Sequence, residues 1–168
     1  MFQRTVFFML AKREIRLKTW EMALLLGVAI ALFATSWASC RQQELETRVV
    51  RLHVLANSDS AQDQALKLDV RDAVLAQASM YLTHCHSTQQ AKEVLSQHLQ
   101  PLADTAAQTI ARKGYDYAVK VSLERTYFPT KVYADFSLPA GEYQGLRVEI
   151  GRAEGHNWWC VVFPPLCF

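Results

Sequence analysis

Thirteen residues in a row, MALLLGVAIALFA from Met22 to Ala34, carry no polar side chain, and no charge falls between Met22 and Cys40. Such a run fits the apolar region of a signal peptide and also a short membrane span. Residues 41–48, RQQELETR, are polar and predict a spacer or a short helix. The period then changes to two. In VVRLHVLA (49–56), Val50, Leu52 and Val54 share one face, with Arg51 and His53 between them, which predicts a strand.

The period becomes helical after NSDS, a stretch that favours turns and helix caps. Ser60 with Asp63, or Asp59 with Gln62, supplies a capping pattern. The predicted helix runs from about Ala61 to Leu82. Its apolar face is Leu66, Val70, Ala73, Val74 and Tyr81, widened by Leu68 and Leu75. Asp63 and Lys67 stand in the favourable order for an i,i+4 ion pair. THCHST breaks the chain, and Ser87 with Gln90 forms a second capping box. A further helix is predicted from Thr88 to Lys113, with Ala91, Val94, Leu95, Leu99, Leu102, Ala106 and Ile110 on its face. A kink or tight break is expected at Pro101, which lacks a donor and clashes with the preceding turn. Arg112, Lys113 and Gly114 form a C-terminal stop.

The remainder alternates. Strands are predicted at 117–124, 131–138 and 146–150, with a turn at Pro139-Ala140-Gly141 and a hairpin-type loop at 151–155. The last strand, NWWCVVF, does not alternate, so both its faces should be covered. The expected fold is α+β: an N-terminal membrane or signal helix, then a single domain of order β-α-α-β-β-β-β. Its sheet is mostly antiparallel, with helices on one face. The expected division is residues 1–40 as signal peptide or anchor, 41–48 as spacer, and 49–168 as an exported domain.

Charge supports that division. Of 18 basic and 16 acidic side chains, five and two precede residue 41, leaving 13 and 14 beyond it. The basic excess thus sits before the apolar run, as the positive-inside rule requires of a segment that leads the chain outward. The remaining domain has no basic excess, which argues against nucleic acid as a partner. Ser36 and Ala38 offer a cleavage site after Ala38, whereas Trp37 suits an interfacial anchor; residues 20–38 would hold the membrane if uncut. WASC ends on a cysteine as lipoprotein signals do, but Trp37 is a poor residue three places before Cys40.

Cys85, Cys160 and Cys167 fall in the exported part, where disulfides persist. Cys160 and Cys167 are a candidate pair, since VVFPPL between them contains two prolines that help a turn. Cys85 is the alternative partner, and three buried free thiols are the third possibility. As metal ligands, His84, Cys85, His86, His156, Cys160 and Cys167 lack the usual paired spacing. No Walker A, GxGxxG or HExxH motif occurs, so no cofactor is expected. A Ser-His-Asp set from His53, Ser58 and Asp59 lacks the Gly-x-Ser-x-Gly elbow, and helix capping is the simpler role for Ser58, Asp59 and Ser60.

Two stretches, RLHVLANSDSAQDQALKLDVRDAVL and SLPAGEYQGLRVEIGRAEGHNWWCVVFPPLCF, resemble the two signature blocks of the stage II sporulation protein R family. The resemblance covers about residues 48–168. It implies a protein made in the forespore and exported to the space before the mother cell. There it would activate a membrane-embedded aspartic protease that matures pro-sigma-E. Some family members are expected to continue past FPPLCF, where this chain stops. The resemblance does not say which surface meets the protease. The candidate contact is the junction Asn57, Ser58, Asp59 and Asp63, with Arg71 and Asp72 behind it, because loops held by stiff elements often bind. The alternative is an exported hydrolase acting on cell wall through His53, Ser58 or Cys85.

Overall fold

The computed structural model describes residues 18–133 and 136–166, side chains 41 and 43 excepted. The chain forms two compact units, 1–40 and 41–168. Cys167, Phe168, Ala134 and the basic residues before Lys18 lie outside the described residues.

Helix α1 (Thr19–Arg48) carries the apolar run. Leu24, Leu26, Ile30, Phe33 and Trp37 are exposed around its circumference, so no single face is set aside for a protein core. The helix is long and apolar enough to cross a membrane. At 1.5 Å per residue, the uncharged stretch from Met22 to Cys40 spans about 28 Å, close to a hydrocarbon core.

The second unit is α+β. Strand β1 (Val50–Leu55) leads to helices α2 (Ala61–Leu82), α3 (Thr88–Gln97) and α4 (Leu99–Arg112). Then come β2 (Val119–Phe128), the two-residue strands β3 (Lys131–Val132) and β4 (Ser137–Leu138), β5 (Gly141–Ile150) and β6 (Asn157–Phe163). The main sheet has the order β2-β5-β1-β6. Its β2–β5 and β1–β6 pairs are antiparallel and its β1–β5 pair is parallel.

The helices cover one face. Leu66, Val70, Val74, Ala78 and Leu82 form a stripe on α2 at spacings of three to four, joined by Ala91 and Leu95 of α3 and by Leu102, Ala106 and Ile110 of α4. They pack on Val50, Leu52 and Val54 of β1, Leu146, Val148 and Ile150 of β5, and Cys160 and Val162 of β6. Each large aliphatic side chain so buried contributes about 1.5–3 kcal/mol.

Several boundaries differ from expectation for identifiable reasons. The helix break falls at His98, not Pro101. The proline ring excludes the carbonyl four residues earlier, which belongs to Gln97, the last residue of α3. Pro101 itself sits in the first turn of α4, where its missing donor costs nothing. The strand expected at 131–138 is instead the small hairpin β3–β4, closed by the Tyr133 amide donating to the Phe136 carbonyl (2.8 Å). Strand β5 starts at Gly141, five residues before the expected Leu146, in unbroken register with β2. Strand β6 lies at a sheet edge, yet Cys160, Val161 and Val162 are buried.

The second face of the sheet holds the main surprise. Arg51 and His53 alternate with the core residues of β1 but do not face water: they are 0% and 6% exposed. They lie with Phe128, Tyr143 and Trp159, near the aromatic residues Tyr133 and Phe136 at the β3–β4 hairpin.

Candidate functional site

The junction of β1 and α2 is built by its own polar side chains. Ser60 caps α2 by accepting from the Asp63 amide (3.1 Å), which selects it over Asp59 as the cap. The Asp63 carboxylate turns inward, 4% exposed, and accepts from the Ser58 hydroxyl (2.5 Å) and the Asn57 amide group (2.8 Å). The hydrogen bond from Ser58, more than any other cause, holds the Asp63 carboxyl below its ordinary pKa, with Asn57 adding to it.

The loop after β5 closes over the junction. Asn57 Oδ1 accepts from the Arg152 amide (3.0 Å), and the Gly155 amide donates to the Ala56 carbonyl (2.9 Å). Gly151 has φ of 57°, and a Cβ there would stand 2.3 Å from Asn57 Oδ1. A Cβ at Gly155 would stand 2.3 Å from the Ser58 carbonyl oxygen. The two glycines of GRAEG thus let the loop approach the junction. Asp59, largely exposed, accepts from the His156 amide (2.6 Å) and pairs with the His156 ring. Its pKa is lowered, chiefly by the hydrogen bond from the His156 backbone.

Lys67 does not pair with Asp63. Its ammonium donates to Gln64 Oε1 (2.6 Å) and to the His156 carbonyl (2.9 Å), while Asp63 is occupied by Ser58 and Asn57. Burial lowers the Lys67 pKa. Arg71 lies over the Trp158 ring, 4.3 Å from its centroid, and bonds Asp72 at 2.7 Å. Asp72 is exposed. Of the six predicted contact residues, Asp59 and Asp72 therefore face solvent, Asn57, Ser58 and Arg71 are half-buried, and Asp63 is interior.

The catalytic alternatives are not brought together. The Ser58 hydroxyl is spent on Asp63, and the ring of His53 lies on the far face of the sheet from the helices. His53 stacks on Trp159, 3.7 Å between centroids; among the described residues neither ring nitrogen has a partner within hydrogen-bonding distance and angle, and the nearby Asn157 side chain favours the protonated ring without outweighing burial. Burial lowers its pKa to about 4, so the ring is neutral near pH 7. Cys85 is a half-buried free thiol in a cavity of about 320 Å³ lined by Ser79, Leu82, Val162, Phe163 and Pro165. It is therefore not the alternative disulfide partner, whereas Cys160 is disulfide-bonded. Among the described residues, no three His, Cys, Asp or Glu side chains converge as metal ligands.

Arg51 is not among the predicted site residues. Its guanidinium lies 4.3 Å from the centroid of Phe128 and 4.8 Å from that of Tyr143. Among the described residues its guanidinium donates one hydrogen bond, to the Tyr133 hydroxyl at 3.4 Å, and Nε and Nη1 have no acceptor. The only sequence signal was the alternation of β1, which reads equally well as a solvent-facing side.

No solved structure matches the chain. Stage II sporulation protein R of Bacillus subtilis (strain 168) is 34% identical over 160 residues, covering 94% of this chain and 71% of that protein. The family model for stage II sporulation protein R matches residues 46–168, which take in β1, the polar junction and every later element described above. The chain belongs to the stage II sporulation protein R family.

Proposed function

We propose that this chain is an exported sporulation signal that activates a membrane-embedded aspartic protease across the forespore–mother cell space. The outcome is maturation of pro-sigma-E. Membership of the family over residues 46–168 carries the proposal. Two properties of the molecule support it. The apolar helix preceded by basic residues suits export. The near-neutral domain spends the polar groups of its junction on one another, as suits a rigid contact surface.

The protease would meet the rim of that junction: exposed Asp59 and His156 on one side, exposed Asp72 with the half-buried Arg71 on the other. Asp63 holds this rim in place from beneath and is not itself a contact. In vesicles holding the protease and its precursor, cleavage should depend on the full chain. Charge reversal by Asp59→Lys with Asp72→Lys should cut cleavage at least tenfold while the circular dichroism spectrum is kept. Unchanged cleavage by that folded double variant would overturn the contact surface. Cleavage of the precursor without the chain would overturn the function.

A further inference from the structure

Strand β2 is a sheet edge, and among the described residues no strand pairs with its outer side. Antiparallel strands direct the backbone groups of alternate residues to opposite sides. The Gly151 amide donates to the Ala118 carbonyl (2.8 Å), and the register runs without a bulge from Val119↔Ile150 to Phe128↔Gly141. Even-numbered residues of β2 therefore bond β5. The backbone groups of Val119, Val121, Leu123, Arg125 and Tyr127 point away from the sheet. Among the described residues, no hydrogen bond from another element reaches them.

The side chains tell the same story. Val119, Val121 and Leu123 face the helices but are only half-buried, whereas their register partners Ile150, Val148 and Leu146 are fully buried. The opposite edge differs, since Cys160 and Val162 of β6 are each 4% exposed. Long open edges with apolar neighbours are templates for another strand.

We propose that the outer edge of β2 docks a second copy of this chain, the two β2 strands pairing antiparallel about a two-fold axis through Ser122. Charge complementarity selects both the occupant and the register. With the axis at Ser122, Lys120 faces the second copy's Glu124, and Glu124 faces the second copy's Lys120. Val121 then meets Leu123 in a hydrogen-bonded pair, which the outward direction of both backbones allows. Moving the axis to Val121 or Leu123 sets Lys120 against Ser122 or Thr126 and loses both charge pairs. Within one copy both ends make only long contacts: Lys120 reaches Glu149 at 3.8 Å and is 76% exposed, and Glu124 accepts from Arg147 at 3.4 Å through one oxygen and is 46% exposed, so each can reach a second partner. A self-complementary patch is what a two-fold dimer needs.

The test uses the full chain in detergent with Cys40→Ser and Cys85→Ser. At the axis, Ser122 would form a pair with Cα atoms about 4.5 Å apart, within the range a disulfide spans. Under mild oxidation Ser122→Cys should form reducible dimers at least tenfold faster than Met80→Cys, an exposed position on α2. Equal rates at the two positions, or no dimer at Ser122→Cys, would overturn the proposal. Lys120→Glu or Glu124→Lys alone should weaken self-association about tenfold, and the two together should restore it. A doubly swapped chain as weak as the single variants would overturn the register.

Discussion

The β1–α2 junction and the aromatic face of the sheet both concentrate polar groups, and they treat them in opposite ways. At the junction, Asn57, Ser58, Ser60 and Asp63 satisfy one another, and Asp63 accepts two side-chain bonds while nearly buried. On the far face, Arg51 and His53 are buried among rings, and among the described residues most of their side-chain nitrogens have no hydrogen-bond partner. A hydrogen-bonded carboxylate cannot lose a partner cheaply, because the remaining groups are then desolvated without return. A buried cation with one long hydrogen bond has less to lose, since most of its desolvation is already uncompensated. Density of polar residues alone does not distinguish these cases; only the partners do.

The largest effect should follow from removing the centre of the junction. Asp63→Ala strands the Ser58 hydroxyl and the Asn57 amide group and weakens the hold on the 151–156 loop. It should cost about 3 kcal/mol in urea unfolding of the full chain. A loss under 1 kcal/mol would mean that the junction is not held from Asp63.

Acid should act on the other face first. His53 takes up its proton near pH 4 when folded and near 6.5 when unfolded. Between these values the unfolded chain binds more protons, so stability is full above about pH 6.5 and falls as pH drops toward 4. The slope reaches at most about 1.4 kcal/mol per pH unit. Asp59 and Asp63, whose pKa values are lowered, keep their contributions above the ordinary carboxylate range and lose them only at lower pH. His53→Gln should flatten the upper window alone. An unaltered pH profile would show that this ring titrates freely.

Ser60→Ala removes the cap of α2 and should cost about 1 kcal/mol. Arg51→Met should have the smallest effect, within about 1 kcal/mol of the parent and on the stable side if packing is kept. Strong destabilisation by Arg51→Met would show that the cation–π contacts with Phe128 and Tyr143 outweigh the desolvation of the guanidinium.

These contrasts mark what could be read from the chain in advance. The α2 stripe, the Ser60 cap and the Ser87 cap are local, and their spacing is enough to find them. The α+β class followed from the same periodicity and the largely antiparallel sheet from hairpin-length links, but the order gained a helix and a strand where the predicted second helix and the predicted 131–138 strand each divide in two. The position of the helix break was legible in principle, because Pro101 names Gln97 as the residue it excludes. The parallel pairing of β1 with β5 was not legible, since it joins residues more than ninety positions apart. The burial of Arg51 was hidden for the same reason: Phe128 and Tyr143 arrive from other strands. At the candidate contact, the residue types were found but not their directions. Asp63 looked like a surface acid until Ser58 and Asn57 were seen to bond it from the preceding turn.

The central claim is action by contact through the exposed rim of the junction, without catalysis by the chain. Precursor cleavage in protease-containing vesicles tests it most directly, comparing the Asp59→Lys, Asp72→Lys double variant with Ser58→Ala and Cys85→Ala, each checked for folding. The account predicts cleavage lost in the first and retained in the other two. Retained cleavage in the double variant, or cleavage abolished by Ser58→Ala or Cys85→Ala in a folded chain, would contradict it.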